Sequence, residues 1–548
     1  MSQKQAYLKL TALFWYVVFP ACTRSHDIFA PSLWHSARTA ATAGTLSSSE
    51  DAGEPAEPPP MIAVGDGRLL GRWQGNTREF LGIPYAKAPV GALRFMPSEP
   101  AQAWSDTRDA SAFGPACPQG KSSVAMSGPQ SEDCLTLNVF TPRATPARPA
   151  LPLLPVMVFI HGGAFVTGGS SSARAELLSD AGPVVVVTIN YRLGALGYLS
   201  LPALDAARPG LPSGSDGIRD QQLALQWVRD HVAAFGGDAN NVTVFGESAG
   251  AMSACLHLLA PGSRSLRRRV ILESGVCLSG SLAGNTKPES HALSQALVDA
   301  LCAGQSDALA CLRAQPLEAL MNWGADRTMF GAGWGPTIEG EGGVLPDTPE
   351  RLLGELDDAP ALIVGVNKDE WAFFELTQRD REVSSLAQLT EAIEAVFGDR
   401  AAAIAAEYPA AVDEDAAEAY VQLMTDAKLR CPARTLARLA AAHGARPYVY
   451  SFEAVPAYHS SELDFVWGSA LNPLLGRGPL QSAMQSYWTR FAIEGTPRAD
   501  SAPEWPAYAL GSEAYMTLVN EPAASAPFGP KCDFWDNLNR SGAAVAPL

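Results

Sequence analysis

The residues best suited by type and spacing to do chemistry are Gly246-Glu247-Ser248-Ala249-Gly250, a Gly-x-Ser-x-Gly pattern. Residues 241–245 before it are mostly apolar and β-branched, which predicts a buried strand, and residues 251–256 after it predict a helix. A strand that turns directly into a helix leaves no room for side chains at Gly246 and Gly250. It exposes the Ser248 hydroxyl near the positive end of the helix, so the pattern predicts a nucleophilic serine. Taken alone, the pattern also occurs in ordinary strand–helix turns.

Apolar strands and helices alternate around this turn. Unbroken apolar runs at 155–160, 184–189 and 361–366 predict buried strands, and the apolar residues of 220–235 have helical spacing. Continuous apolar strands separated by helices indicate a sheet that is covered on both faces. Residues 62–73 predict a β-hairpin with a glycine-rich turn. We therefore expect an α/β fold with a large, mostly parallel central sheet, helices on both faces and an N-terminal β-hairpin.

The composition is that of a large globular protein. The 548 residues are 47% hydrophobic and 18% charged, enough to bury a large core in one or two domains. The formal net charge of −17 argues against nucleic acid and anionic membrane surfaces as partners.

The N-terminus resembles an export signal. Lys4 and Lys9 precede a short apolar run at 12–19, which is too short to cross a bilayer as a helix. Ala21-Cys22 after it resembles a lipoprotein cleavage site in which Cys22 carries the lipid. Phe19 suits that site poorly, so simple secretion is favoured over a lipid anchor at Cys22, which would be the chain's one expected attachment to a membrane.

The chain is expected to divide into four parts. Residues 36–60 are rich in Ala, Ser, Thr, Glu and Pro, a composition typical of a disordered linker. The expected parts are a signal at 1–22, a linker at 23–60, a folded domain at 61–540 and a tail at 541–548.

Two longer motifs identify a family. Residues 132–139, Glu-Asp-Cys-Leu-Thr-Leu-Asn-Val, resemble one signature of the type B carboxylesterases, the cholinesterase-like branch of the α/β-hydrolases. Residues 235–250 resemble their active-serine signature, and residues 190–194 and Asp220-Gln221 are also similar to the family. The resemblance runs from about residue 61 to about residue 540, and its nearest likeness is to bacterial esterases of the para-nitrobenzyl esterase kind. It implies the α/β-hydrolase fold and a serine hydrolase that needs no cofactor.

The family places its catalytic base after the nucleophile and the acid. Among the eight histidines, His257 and His291 follow Ser248 too closely, and a helix C-terminus accounts for His443. His459 stands in a segment, 458–468, that resembles the family's histidine loop. The resemblance implies that His459 is the base; a surface-loop histidine is the alternative.

The acid is expected at a strand end between the nucleophile and the base. The apolar run 361–366 is followed by Asn367-Lys368-Asp369-Glu370, and the family places its glutamate at Glu370. Asp369 is the second candidate. Trp371 stands where relatives commonly have glycine, a departure that could narrow the turn or line the active-site gorge.

The oxyanion hole is expected at His161-Gly162-Gly163-Ala164-Phe165, directly after the 155–160 strand. Glycines there let backbone N–H groups approach a developing oxyanion closely. By resemblance the donors are Gly163, Ala164 and Ala249, and Gly162 permits the turn.

Nine cysteines suit an exported chain better than a cytosolic one. The family's pairing pattern transfers onto three disulfides, Cys117–Cys134, Cys302–Cys311 and Cys431–Cys532. Apart from Cys22, this leaves Cys255 and Cys277, which are expected to be buried free thiols. The alternative is that all the cysteines are reduced. No Cys-x-x-Cys or His-x-x-x-His spacing occurs, so no metal site is expected.

The resemblance implies a serine carboxylesterase that hydrolyses small-molecule carboxylic esters through an acyl-enzyme. Cholinesterases hold a quaternary ammonium on a tryptophan in the first disulfide loop, and here that loop, 118–133, contains no aromatic residue. Choline esters are therefore not expected. Residues 330–336 match the acyl-pocket region, and their small side chains suggest room for more than an acetyl group.

Other functions use the same fold. A catalytically silent adhesion or scaffold protein is disfavoured because Ser248, Glu370 and His459 are all present. An amidase or a lactonase would use the same triad and stays open. A lipase acting at an interface would want an apolar lid, for which 463–475 is too mixed.

Overall fold

The computed structural model describes residues 57–120, 126, 128–143, 153–278, 285–323, 333–356, 360–377, 383–468 and 478–540. The described residues from Pro58 onward belong to one compact unit. The expected signal, nearly all of the expected linker and the expected tail lie outside the described residues, and the four-part division of the chain stays a prediction.

An 11-stranded sheet forms the centre of the fold. In sheet order its strands are β16 (Ala523–Ser525), β15 (Tyr515–Leu518), β14 (Arg446–Phe452), β13 (Ala361–Asn367), β10 (Arg269–Glu273), β9 (Gly237–Glu247), β7 (Leu154–Ile160), β8 (Val185–Ile189), β6 (Thr136–Pro142), β4 (Thr77–Pro84) and β3 (Arg72–Gln74). The strands from β15 to β8 in this order pair in parallel. The pairs at both ends are antiparallel. The expected α/β-hydrolase fold is confirmed.

Two smaller sheets accompany the central one. β1 (Met61–Val64) and β2 (Gly67–Leu70) form the predicted hairpin, in which Val64 pairs with Gly67 across a two-residue turn. β5 (Thr107–Asp109) adds to β2 in parallel. β11 (Asn285–Thr286) and β12 (Thr337–Ile338) pair in parallel.

Helices connect the strands. The α-helices are Ala175–Ala181, Gly194–Tyr198, Pro202–Ala207, Asp216–His231, Ala249–Leu259, Lys287–Leu301, Ala308–Ala314, Leu317–Asn322, Pro349–Gly354, Ala372–Thr377, Leu386–Phe397, Ala401–Glu407, Asp413–Thr425, Cys431–Ala442, Leu463–Trp467, Pro479–Glu494 and Cys532–Arg540. Short 3₁₀ turns lie at Gly91–Leu93, Ser170–Ser172, Val232–Phe235, Pro261–Leu266 and Gly398–Arg400, and Asp426–Arg430 is a π-helical turn.

The helices cover both faces of the sheet. On β7, Val158 and Ile160 pack into one apolar cluster together with Leu256 of the Ala249–Leu259 helix. Phe159, between them, points to the other face and packs in a second cluster with Trp488. Since the strands are buried on both faces, they are continuously apolar, as their sequences predicted.

Residues in two segments that resemble the family, 190–194 and Asp220-Gln221, form hydrogen bonds that hold the fold together. Arg192, which follows β8, forms two hydrogen bonds of 2.7 Å with the carboxylate of Asp220 in the Asp216–His231 helix. The adjacent Gln221 donates a hydrogen bond of 3.1 Å to Ser253 Oγ in the Ala249–Leu259 helix. These bonds tie the end of the sheet to the two helices that pack behind Ser248.

Four disulfides are present among the described residues. Three are the expected pairs, Cys117–Cys134, Cys302–Cys311 and Cys431–Cys532. The fourth joins Cys255 to Cys277, so the expectation of two free thiols is wrong. The resemblance supplied three pairings and gave no distance for these two residues, whose Cα atoms lie 5.6 Å apart, within the range of a disulfide.

Four disulfides indicate an extracytoplasmic protein. Within the described residues, none of the helices has the length and apolar character that a membrane span requires.

Candidate active site

Ser248 occupies a strained turn between strand and helix. β9 ends at Glu247, a helix begins at Ala249, and Ser248 between them has φ 56° and ψ −124°. A positive φ at a non-glycine residue costs energy and persists only where its surroundings impose it. Here the Ser248 N–H donates to the carbonyl of Glu273 at 2.9 Å, and its own carbonyl accepts from Met252 N at 2.9 Å. The Ser248 side chain is partly exposed, while both neighbouring residues are buried.

The two glycines of the turn lie against the end of β7. A Cβ at Gly246 would come within 2.6 Å of the Ile160 carbonyl oxygen, and one at Gly250 would come within 2.0 Å of the same atom. Neither position accepts a side chain unless the backbone shifts. The close approach of the turn to the end of β7 therefore requires glycine at both positions of the Gly-x-Ser-x-Gly pattern.

His459 and Glu370 form a buried hydrogen-bonded pair. His459 Nδ1 lies 2.6 Å from Glu370 Oε2, and Glu370 Oε1 accepts from the Asn367 N–H at 2.7 Å. A proton on Nδ1 satisfies this bond, which leaves the lone pair of Nε2 free to accept another proton. Asp369, the second candidate for the acid, is bonded to a different residue: its carboxylate accepts a hydrogen bond of 2.8 Å from Gln422.

Two other histidines, His257 and His443, are accounted for by their contacts within the fold. His257 is buried between Ser263 Oγ and Gln221 Oε1, each 2.9 Å from one ring nitrogen. Burial lowers the pKa of His257 to about 3, so it stays neutral. His443 follows the Cys431–Ala442 helix as its C-cap.

The structure brings His459 against Glu247. Nε2 of His459 lies 3.1 Å from Glu247 Oε1 without the alignment of a hydrogen bond, and it makes no hydrogen bond within the described residues. Ser460 Oγ donates to the same Glu247 oxygen at 2.6 Å. His459 and Ser460 thus both contact Glu247, the residue before Ser248, while no hydrogen bond joins His459 Nε2 to Ser248 in the described part of the chain. Such bonds are often long without substrate and tighten when it binds.

Three further glutamates, which sequence reasoning missed, are buried beside this pair. Glu247 and Glu273 pair across β9 and β10. Glu273 Oε1 accepts from Trp488 Nε1 at 2.8 Å, and Glu462 accepts from Asn367 Nδ2. Glu247 sits inside the serine motif and Glu462 stands three residues after His459. Their positions in the motifs were visible in the sequence, but their burial was not.

The buried carboxyl groups shift one another's proton affinity. Burial raises the pKa of Glu273 to about 8, and burial also raises the pKa of Glu247 and Glu462. Burial alone would lower the pKa of His459, but the carboxylates of Glu247 and Glu370 raise it above its ordinary value. His459 therefore keeps its proton to higher pH than an isolated imidazole would.

Aromatic side chains pack against the imidazole. The Phe374 ring lies 4.8 Å from that of His459, and the Trp371 ring lies 4.8 Å from that of Phe374. Trp371 is buried, and its backbone N–H donates to Thr425 Oγ1 at 3.2 Å. The Trp371 ring thus packs on Phe374, which in turn packs on His459.

The segment after β7 presents free backbone donors. Gly163, Ala164 and Phe165 have φ values of 105°, 51° and 61°. Among the hydrogen bonds between described residues, none is donated by the N–H groups of Gly163, Ala164 or Ala249. A Cβ at Gly162 would lie 2.8 Å from the Glu247 carbonyl oxygen and 3.1 Å from Ser248 Cβ. This segment therefore packs directly on the serine turn.

The expected acyl-pocket region is described in part. Residues 324–332 lie outside the described residues, while 333–336 are described. A Cβ at Gly335 would lie 3.5 Å from the Phe165 ring, and the rings of Trp334 and Trp323 are 6.0 Å apart. The described end of this region therefore lies alongside the segment that follows β7.

Comparison with known proteins agrees with these features. The model of the carboxylesterase family matches residues 58–535. The chain is 35% identical to para-nitrobenzyl esterase of Bacillus subtilis (strain 168), over 84% of this chain and 96% of that protein. It is 32% identical to liver carboxylesterase of Sus scrofa, over 91% of this chain and 96% of that protein. It is 33% identical to acetylcholinesterase of Bungarus fasciatus, over 85% of this chain and 83% of that protein.

Proposed function

Because the chain belongs to the carboxylesterase family, we propose that it is a carboxylic ester hydrolase that works through an acyl-enzyme. Ser248 is the nucleophile, His459 the general base and Glu370 the acid that orients it. The observation that carries the proposal is the buried His459–Glu370 pair, 2.6 Å apart, in which His459 also lies 3.1 Å from Glu247, the residue before the strained Ser248. A nucleophile, a base and an orienting carboxylate are the three groups that acyl transfer requires.

Acylation begins when His459 Nε2 takes the proton of Ser248 Oγ. Oγ forms a bond to the ester carbonyl carbon, and the carbonyl π electrons move to its oxygen. In this proposal the N–H groups of Gly163, Ala164 and Ala249 donate hydrogen bonds to that oxyanion. When the tetrahedral intermediate collapses, the bond to the alcohol oxygen breaks, and the departing alcohol takes the proton from Nε2.

Deacylation repeats these steps with water. His459 Nε2 takes a proton from water, whose oxygen attacks the acyl carbon and releases Ser248 as its leaving group. The proton on Nε2 returns to Ser248 Oγ, and the carboxylic acid departs. Throughout, Glu370 holds the imidazole in one tautomer and offsets the charge of the imidazolium.

Two features favour uncharged esters with acyl groups larger than acetyl as substrates. The first disulfide loop, 118–133, offers no aromatic ring for a quaternary ammonium. Gly335, whose missing side chain leaves space beside Phe165, lies at the described end of the acyl-pocket region. We propose that the enzyme is exported, to a periplasm or the medium, with a lipid on Cys22 as the alternative form of export.

A panel of fluorogenic esters that differ only in acyl length tests this proposal. We expect the purified protein to hydrolyse propionyl to octanoyl esters, and to prefer them to the acetyl ester and to acetylthiocholine. Ser248→Ala should fold normally and lose this activity, because the covalent route is removed. A residual rate in Ser248→Ala above about one hundredth of the wild-type rate would contradict the assignment of Ser248.

A further inference from the structure

We propose that the disulfide between Cys255 and Cys277 is a positioning element for Ser248: it holds the backbone segment 273–277 against the serine turn. The inference rests on the proposed function, since it assigns a role in placing the nucleophile. Both cysteines are fully buried, at 0% and 1% exposure. Three contacts hold this segment: one to Ser248, one to strand β13 and one, the disulfide, to the helix after Ser248.

The first contact is between the segment and Ser248 itself. The Glu273 carbonyl accepts the Ser248 N–H at 2.9 Å, which is the turn's hydrogen bond to the neighbouring strand. Two residues later, Gly275 lies so close that a Cβ there would come within 2.5 Å of the Ser248 carbonyl oxygen. The segment therefore contacts the N–H of Ser248 at Glu273 and packs against the Ser248 carbonyl at Gly275.

The second contact joins the segment to β13, the strand that ends three residues before Glu370. Ser274 has φ 55°, and its N–H donates to the Gly365 carbonyl of β13 at 2.9 Å. β13 ends at Asn367, whose N–H binds Glu370. A shift of the segment would thus disturb the spacing between the nucleophile and the acid–base pair.

The third contact is the disulfide. Cys255 lies seven residues after Ser248, on the helix Ala249–Leu259, and Cys277 lies two residues after Gly275. The Cys277 N–H also donates to Cys255 Sγ at 3.1 Å. The segment is consequently attached to this helix at its start, through Ser248, and two turns further on, through sulfur.

A covalent bond at this place makes the helix and the segment move together. Ser248 is held at a φ that it would not adopt alone, so a looser segment lets its backbone relax. Relaxation would move Oγ and the Ala249 N–H, and a misplacement near 1 Å can cost about 10²-fold in rate. Binding of the ester depends on other residues and should change little.

The matched comparison is between two disulfide deletions. Cys255→Ala/Cys277→Ala removes the bond at the turn, whereas Cys302→Ala/Cys311→Ala removes a bond that packs in a separate apolar cluster. Both are assayed well below the temperature at which circular dichroism shows unfolding. The readouts are kcat, KM, and the second-order rate at which an organophosphate labels Ser248.

We expect Cys255→Ala/Cys277→Ala to lower kcat and the labelling rate at least about tenfold with KM within about twofold, and the control deletion to leave all three unchanged. If the first variant does not fold, Cys255→Val/Cys277→Ala, which refills part of the space, is measured in its place. Unchanged kcat and labelling in the folded variant would overturn the inference, as would free thiols at both positions in purified wild-type protein. Wild-type protein that neither hydrolyses esters nor reacts with the organophosphate would instead overturn the proposed function.

Discussion

Nε2 of His459 lies 3.1 Å from Oε1 of Glu247, the residue directly before Ser248. Both side chains are buried, so water screens their interaction only weakly. On the other side of the ring, Nδ1 lies 2.6 Å from Glu370 Oε2. The imidazole therefore stands between two carboxyl groups, and an imidazolium formed during attack on an ester would be stabilised from both sides.

Glu247→Gln is expected to move the acid limb of the activity profile to lower pH. Only neutral His459 accepts the serine proton, so activity appears as pH rises through the pKa of His459. Wild-type His459 has a pKa above its ordinary value of 6.5, in part because of Glu247, and loss of that charge lowers it. The plateau of kcat/KM should also fall, by about tenfold, if about 1.4 kcal/mol of stabilisation of the transition state is lost. The measurement is kcat/KM from about pH 5 to 9, the range that brackets a histidine pKa.

Glu273→Gln is the matched control for that measurement. Glu273 pairs with Glu247 across the sheet and hydrogen-bonds to Trp488, but it has no contact with His459. Burial raises the pKa of Glu273 to about 8, so below that pH its carboxyl is mostly neutral and glutamine resembles it. The acid limb should stay in place. An equal shift of the acid limb in both variants, or no shift of it in Glu247→Gln, would refute the role given to Glu247.

Glu370→Gln is expected to lower kcat by about 10²–10⁴-fold, by analogy with the aspartate of serine-protease triads. A glutamine at this position can touch Nδ1 but cannot offset the imidazolium charge, and it favours the wrong tautomer. Asp369→Asn should cost less than about tenfold, because Asp369 contacts Gln422 and not the imidazole. Both variants are compared at saturating ester and at the wild-type optimum of pH. An equal loss in the two variants, or a larger one in Asp369→Asn, would show that the acid is misassigned.

Gly162→Ala is expected to lower kcat by about 10²-fold and to change the fold little. The added Cβ would lie 2.8 Å from both the carbonyl oxygen and Oε2 of Glu247, and 3.1 Å from Ser248 Cβ. The serine turn and the segment after β7 must separate to admit it, which displaces the N–H donors from the oxyanion. Gly354→Ala is the control, since nothing lies within 4 Å of a Cβ there. Circular dichroism spectra and kcat would be measured for both variants. Similar kcat values in Gly162→Ala and Gly354→Ala would contradict the expected clash at Gly162.

Much of the fold could be predicted from sequence because its signals are local. The strands β7, β8 and β13 are continuous apolar runs, and burial on both faces is the reason for that pattern. The predicted helix at 220–235 begins earlier, at Asp216, and its last turn is 3₁₀ from Val232 to Phe235. The apolar spacing shows where a helix packs, but its ends depend on tertiary contacts such as the Arg208–Asp216 ion pair.

The surroundings of the candidate site could not be predicted in the same way. Glu247, Glu273 and Glu462 lie far apart in the chain, and nothing local shows that the sheet buries them together. The Cys255–Cys277 bond was missed for the same reason, since a disulfide depends on a distance in space. Motif positions predict the type of a residue's chemistry, whereas its environment follows only from the packed structure.

The last prediction concerns stability and compares two ion pairs. The Arg192 and Asp220 side chains are 3% and 0% exposed, and they form two hydrogen bonds of 2.7 Å. The Lys87 and Glu99 side chains are 37% and 49% exposed. Asp220→Asn should lower the free energy of unfolding by about 3–5 kcal/mol, because it leaves the buried Arg192 charge without its hydrogen-bonded counter-charge. Glu99→Gln should cost about 0–1 kcal/mol, since water already solvates that pair.

Urea unfolding followed by circular dichroism measures both variants against wild type, with activity recorded before each titration. Asp220→Asn should unfold at clearly lower urea concentration, and its Arg192 should no longer hold the end of β8 to the helix Asp216–His231. That helix also carries Gln221, which binds the helix behind Ser248, so the loss of stability should be accompanied by a loss of kcat. Glu99→Gln should change neither quantity. If the two variants differ by less than about 1 kcal/mol, the buried pair is not what joins these elements.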